Sequence, residues 1–156
     1  MRIGKPIQSG QTIVVKKRGN NSDIINTIHS YMPYAIGQSK KRASIFKGKD
    51  NKETCRNIWS FLKHNITYLE DSVHFQDIKL PDRLVKERKG DCKSYSMFAG
   101  SILDNLGIPY KFAYTSYSDN RTPSHVYVQT NDGYIIDAVW RKFNDEKPYT
   151  YKYLKR

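Results

Sequence analysis

The sequence predicts an α+β fold in which N-terminal helices, the last of them starting at Cys92, pack on an antiparallel β-sheet. Three observations predict it. Apolar residues recur at helical spacing as far as Leu106, three β-prone runs follow Pro109, and a hairpin signal, Asn131-Asp132-Gly133, joins the last two of those runs. With 156 residues the chain matches one compact domain that buries a core without disulfides or a structural metal. Twelve Tyr, six Phe and two Trp supply large buriable surfaces, which argues for a folded chain over a disordered one.

Taken in order, residues 1–20 carry Gly4, Pro6, Gly10 and Gly19 around a single β-prone run, Thr12 to Val15. They read as a basic arm with at most one edge strand, tied to the domain or to a partner. Residues 21–156 read as a single domain with its core in 51–140. Ser22 is suited to cap a helix whose stripe is Ile24, Ile28, Tyr31 and Ala35, although Pro33 disfavours its C-terminal half. After a basic linker, Asp50 or Asn51 caps a second helix carrying Cys55, Ile58, Trp59, Leu62 and Ile66 on one face. A short helix is expected over Asp82 to Lys89, past Leu80-Pro81. Gly90 breaks the pattern and Asp91 caps the next helix, which runs from Cys92 with Tyr95, Phe98, Ile102, Leu103 and Leu106 on its stripe and stops at Gly107. Strands are expected over Tyr110 to Tyr117, Ser124 to Thr130 and Tyr134 to Trp140, with the Tyr/Lys-rich tail from Arg141 wrapping the sheet edge.

Charge and cysteine usage narrow the function classes. The net charge is +12, and residues 1–50 hold ten Lys/Arg against two acids. Lys16-Lys17-Arg18 and Lys40-Lys41-Arg42 suit docking on an acidic protein, nucleic acid or a viral assembly, or simply a solvated face. Two cysteines, Cys55 and Cys92, cannot build a disulfide framework, and with the scattered His29, His64, His74 and His125 they do not make a zinc motif. No apolar run reaches the roughly 20 residues of a membrane span. Met1 to Gly10 lacks the layout of a secretory signal, which points to a cytoplasmic product or one released by lysis. Cys55 lies on an apolar stripe, where an inert buried thiol is the ordinary outcome.

Cys92 stands apart because a thiol at the first turn of a helix meets unpaired N–H groups and the positive end of the helix dipole, which favour a thiolate. The same N–H groups are suited to an oxyanion hole, as acyl transfer through a thioester requires. Taken singly, a cysteine at a helix start is often merely buried, and a strand histidine is usually structural. His125, however, is the only histidine in the strand region, and Asp137 is a lone carboxylate in an apolar run that needs a partner if buried. Register decides whether those two meet. A two-residue turn would put His125 and Asp137 on opposite sheet faces. A three-residue turn with Gly133 in the left-handed position pairs Thr130 with Tyr134 and Tyr127 with Asp137, leaving His125 and Asp137 diagonal neighbours on one face.

The residues that carry these readings also carry a resemblance. Ile66-Thr67-Tyr68 follows a Trp-bearing helix, Leu80-Pro81 precedes a short one, and then come Lys89-Gly90-Asp91-Cys92-Lys93-Ser94, the LDNLGIP segment of Leu103 to Pro109, Ser124-His125-Val126-Tyr127-Val128 and Ile135-Ile136-Asp137. Over roughly Trp59 to Trp140 the chain resembles the transglutaminase-like superfamily, relatives of papain by fold, in its small stand-alone form from bacteria and their phages. The resemblance implies Cys92 as nucleophile, His125 as general base and acid, Asp137 as orienter of the imidazole, and neither a metal nor an organic cofactor. Ala138 stands where proline is common after the aspartate. The side-chain donor of the oxyanion hole is unassigned, with Gln76 a candidate whose commoner reading is a surface residue.

Two function classes follow. One is thiol-dependent acyl transfer on peptide or protein amides, with hydrolysis favoured over transglutaminase crosslinking because the chain is short. The other is a basic structural or binding protein of a virion or of nucleic acid that keeps the fold with or without the activity. A phosphate-dominated contact would weaken steeply with salt, whereas thiol reactivity would not.

Overall fold

The computed structural model describes residues 12–14, 21–70, 77–119 and 121–156. Strand β1 (Thr12–Val14) is followed by helices α1 (Asn21–Ser39), α2 (Ala43–Phe46) and α3 (Asn51–Asn65). Next come β2 (Thr67–Tyr68), β3 (Asp77–Lys79), α4 (Pro81–Glu87), β4 (Lys89–Gly90) and α5 (Cys92–Asn105). Four strands close the chain: β5 (Tyr110–Ser116), β6 (His125–Thr130), β7 (Ile135–Ile136) and β8 (Tyr151–Lys155). The molecule is therefore α+β, helices first and the main sheet after them.

Helix α5 is the axis of the fold, with every residue from Cys92 to Leu103 buried. Asp91 caps its start and Gly107, at φ +72°, turns the chain out of its end, the capping logic read from the sequence. Helix α1 runs on through Pro33. Its second half is held against α5 by buried Met32 and Ala35, by Ser39 Oγ to Ser101 Oγ at 2.6 Å and by Asn105 Nδ2 donating to the Ile36 carbonyl at 2.8 Å, which outweighs the backbone bond the proline removes. In α3, Asp50 accepts from the Glu53 N–H at 2.8 Å, and Cys55, Ile58 and Leu62 face the core. The expected helix at Asp82 starts one residue earlier, with Pro81 at its first position and Arg88 in the left-handed conformation after it.

The sheet order is β7-β6-β5-β8, antiparallel throughout. Phe112, Tyr114, Val126, Val128 and Ile136 join α5 in the main core, while Ala113, Tyr127 and Ile135 form a smaller cluster of their own. The hairpin has the three-residue turn. Val128 pairs with Ile136 and Gln129 with Ile135, Thr130 N–H donates to the Tyr134 carbonyl at 2.9 Å, and Gly133 sits at φ +98°.

Two expectations need correction. The strand expected over Tyr134 to Trp140 spans only Ile135–Ile136, because Asp137 folds the chain into a turn: its Oδ1 accepts from the Val139 N–H at 3.2 Å and its carbonyl from the Trp140 N–H at 3.1 Å. The tail does more than wrap an edge, since residues 151–155 form a regular fourth strand on β5. Two small pairings lay beyond the sequence reading. Strand β1 pairs antiparallel with β3, so the strand expected in the arm is joined to the domain, and β2 pairs parallel with β4. Lys16, Lys17, Arg18 and Gln76 lie outside the described residues.

Candidate functional site

The site forms where the start of α5 meets the start of β6. Asp91 Oδ1 accepts from the N–H groups of Lys93 (3.1 Å) and Ser94 (3.4 Å), which fixes the first turn. Those two donors are therefore engaged, and the Cys92 N–H is the first-turn donor that this cap does not take. Ser96 Oγ lies 2.7 Å from the Cys92 carbonyl and 3.1 Å from the Val126 carbonyl, so the helix turn carrying the thiol is tied to the strand carrying His125. Cys92 is 9% exposed.

His125 Nε2 is 2.8 Å from Asp137 Oδ2. The carboxylate is itself held in place. Its other oxygen takes the Val139 N–H, and the indole N–H of Trp59 on α3 donates to the Asp137 carbonyl at 3.1 Å. The imidazole also feels the charge of the Cys92 side chain. Nε2 is committed to Asp137, which leaves Nδ1 as the ring nitrogen not engaged by the carboxylate. The structure thus brings His125 and Asp137 together by the register that the three-residue turn dictates, and ties the helix turn of Cys92 to the strand of His125.

Electrostatics at this point favour a charged imidazole. Burial, the largest single influence, acts to lower the His125 pKa, but the hydrogen bond to Asp137, with the charges of Asp137 and Cys92, outweighs it and pushes the pKa up to about 10. Beside the ring opens a cleft of about 410 Å³ lined by Tyr68, Glu70, Tyr117, Ser124, His125, Trp140 and neighbours. Tyr68 was legible only as part of a motif. The parallel β2–β4 pair, with the Leu69 N–H donating to the Gly90 carbonyl at 2.8 Å, sets it beside the residues that lead into Cys92. Burial first, then the charge of Cys92, raise the Tyr68 phenol pKa, so its hydroxyl stays protonated and able to donate. Two-residue strands leave no alternation to read, which is why sequence reasoning missed it.

Cys55 behaves as the sequence suggested. It is fully buried, and burial followed by the charge of Asp132 pushes its thiol up to about 12. In the basic run, Arg42 is largely buried and joined to Asp82 at 2.7 Å, while exposed Lys41 reaches the same carboxylate at 2.9 Å, so part of that cluster serves the fold. No described helix is long and apolar enough to cross a membrane. Among the described residues, no group of three His, Cys, Asp or Glu is gathered to hold a metal ion.

Comparison with known proteins agrees with this architecture. The Transglutaminase-like superfamily matches residues 39–149. The UPF0252 protein MJ1282 of Methanocaldococcus jannaschii is 30% identical over 96 residues, which cover 55% of this chain and 27% of that protein. Among solved structures, a candidate protease from Parabacteroides distasonis superposes with a TM-score of 0.55 at 13% identity, over 71% of this chain and 24% of the other. A candidate cysteine protease from Cytophaga hutchinsonii gives 0.53 at 19% identity, over 74% and 42%. Calcium-bound LapG of Legionella pneumophila gives 0.53 at 18% identity, over 80% and 76%. At those identities the likeness is one of fold, and the chain spans about a quarter of the length of the archaeal relative and of the Parabacteroides structure. The match over residues 39–149, on a fold that sets a cysteine at a helix start beside a histidine on a strand, places this chain in the transglutaminase-like superfamily.

Proposed function

We propose that Cys92, His125 and Asp137 form a nucleophile triad for acyl transfer on peptide or protein amides, with water as the usual acceptor. The observation that carries this reading is the imidazole held by a buried carboxylate, Nε2 on Asp137 at 2.8 Å, on the strand to which the helix turn of Cys92 is tied through Ser96 Oγ and the Val126 carbonyl at 3.1 Å. A base oriented by a buried carboxylate beside a helix-start thiol is what nucleophilic catalysis requires. The thiol's proton rests on His125 as imidazolium, and the Cys92 sulfur attacks the amide carbonyl carbon. The oxyanion of the tetrahedral adduct meets the Cys92 N–H and the Tyr68 hydroxyl at the cleft. Imidazolium then protonates the leaving amine as the C–N bond breaks, leaving a thioester. Water, giving a proton to His125, attacks that thioester, and the acid and the thiol are released.

An amine in place of water would give crosslinked product, and product analysis separates the two. The test is cleavage of a peptide library followed by mass spectrometry, with the wild-type chain, Cys92→Ala and His125→Ala in parallel. New amine and acid termini from the wild type alone support the reading. Cleavage that survives Cys92→Ala contradicts it.

A further inference from the structure

The cleft beside His125 is lined by two charges that the triad does not use, Lys147 and Glu70. Lys147 lies in the tail between β7 and β8. Its ammonium stands 4.4 Å from the centre of the Tyr117 ring, which in turn lies 6.4 Å from the His125 ring. The two residues before it are engaged elsewhere: Asp145 takes the Trp140 indole N–H at 2.8 Å, and Glu146 takes the Lys152 ammonium at 2.9 Å and the Tyr127 hydroxyl. Among the described residues no carboxylate pairs with Lys147, and an ammonium resting on an aromatic face keeps N–H donors for an anion. Glu70 reaches the cleft from another element, two residues beyond Tyr68 on β2, the strand that pairs with β4 on the way into Cys92. It too has no partner of opposite charge among the described residues. Both residues are exposed, so neither is needed to complete the core.

We propose that the cleft selects its peptide by charge, Lys147 receiving an acidic side chain on one side of the attacked amide and Glu70 a basic one on the other; this rests on the acyl-transfer reading above. The two groups line one cleft of about 410 Å³ yet do not pair with each other, so a chain laid between them meets a cation from the Tyr117 end of the sheet and an anion from the β2 side. Tyr68, Tyr117 and Trp140 wall the same cleft, and charges beside such rings are less screened by water than charges on an open surface. A peptide with its charges in the reverse order faces like charge at both places, so the arrangement discriminates by repulsion as well as by attraction. Lys147 and Glu70 are specificity-determining residues and touch no reacting atom.

The experiment uses peptides in which the residues flanking the central amide are Glu, Gln or Lys in every combination. Binding is read by fluorescence anisotropy on the full-length Cys92→Ala chain, cleavage as kcat/KM on the wild type, and folding of each variant by thermal melting. One order of Glu and Lys is expected to bind and react about fivefold better than the Gln peptide, and the reverse order to fall below it. Lys147→Glu, made in both backgrounds, should turn the preference for Glu at one flank into a preference for Lys, a swing of about tenfold, and Glu70→Lys should do the converse at the other flank only. Lys49→Glu makes the same change in net charge beside Asn51, whose Nδ2 donates to Asp132 Oδ2 at 3.2 Å in the hairpin turn, the far end of β6 from His125. It should alter neither preference. Binding indifferent to the order of charges, both variants acting at the same flank, or Lys49→Glu acting as strongly as Lys147→Glu would overturn the inference and leave the triad standing. Charge-ordered binding with no cleavage of any peptide by the wild type would support the recognition by Lys147 and Glu70 and overturn the acyl-transfer reading.

Discussion

The two cysteines occupy opposite kinds of place in one core. Cys55 lies within α3, fully buried, its thiol pushed up to about 12 by burial and by Asp132. Cys92 is almost as well buried but opens α5, whose first turns are tied to the strand of His125, and a cleft of about 410 Å³ lies beside that imidazole. Burial is common to both, so burial does not separate an inert thiol from a candidate nucleophile. The difference is the company: a helix start, an imidazole and a carboxylate hydrogen-bonded to that imidazole.

Exchanging each thiol in turn should break the comparison most severely. Cys92→Ala is expected to lower the rate of amide cleavage by about a thousandfold or more, whereas Cys55→Ala should leave the rate within about threefold and cost about 1 kcal/mol of stability, by denaturant unfolding. The carboxylate comes next. Asp137→Asn is expected to lower kcat about a hundredfold or more, because the amide holds the ring less well and no longer favours its charged form. The pH profile gives the sign. Imidazolium is the competent partner of a thiolate, so wild-type activity should persist until the pH approaches 10, and the alkaline limb should move down in Asp137→Asn as a main support of the raised pKa is lost.

Smaller effects should appear in stability while leaving Cys92 chemistry alone. A Cβ on Gly100 would stand 2.9 Å from Tyr110 Cε2 and 3.1 Å from Phe112 Cζ, where α5 crosses β5. Gly100→Ala is expected to cost about 1–3 kcal/mol in denaturant unfolding, with alkylation of Cys92 unchanged. His29, whose Nε2 lies 3.0 Å from the Tyr114 hydroxyl, has its pKa lowered to about 4, by burial first and then by the charge of Lys155. The unfolded chain therefore binds the proton more readily. The contribution of His29 is complete above about pH 6.5 and is lost as the pH falls toward 4. The melting temperature should fall over that window, and His29→Gln should flatten the fall.

How much of this was legible follows from the range of the signals. The helices showed because Asp50, Asp91 and Gly107 cap them and their apolar spacing is regular. The meeting of His125 and Asp137 showed because a single glycine, Gly133, dictates the turn and the turn dictates the register. Asp137 as the end of its strand did not show, since an aspartate that takes the N–H two residues on competes with the ladder only once the fold has buried it. The placing of Tyr68 depends on a contact between segments whose sequence gives no period, and the edge strand at Tyr151–Lys155 has no alternation of buried and exposed residues to mark it.

Quantitative labelling of both cysteines in the native chain at pH 6, where an ordinary thiol is almost wholly protonated, tests the central claim most directly. The account predicts that Cys92 takes up iodoacetamide at least about tenfold faster than the same cysteine in the urea-unfolded chain, that Cys55 stays unlabelled, and that His125→Ala abolishes the difference. Cys92 as unreactive as Cys55, or equally reactive without His125, would contradict it.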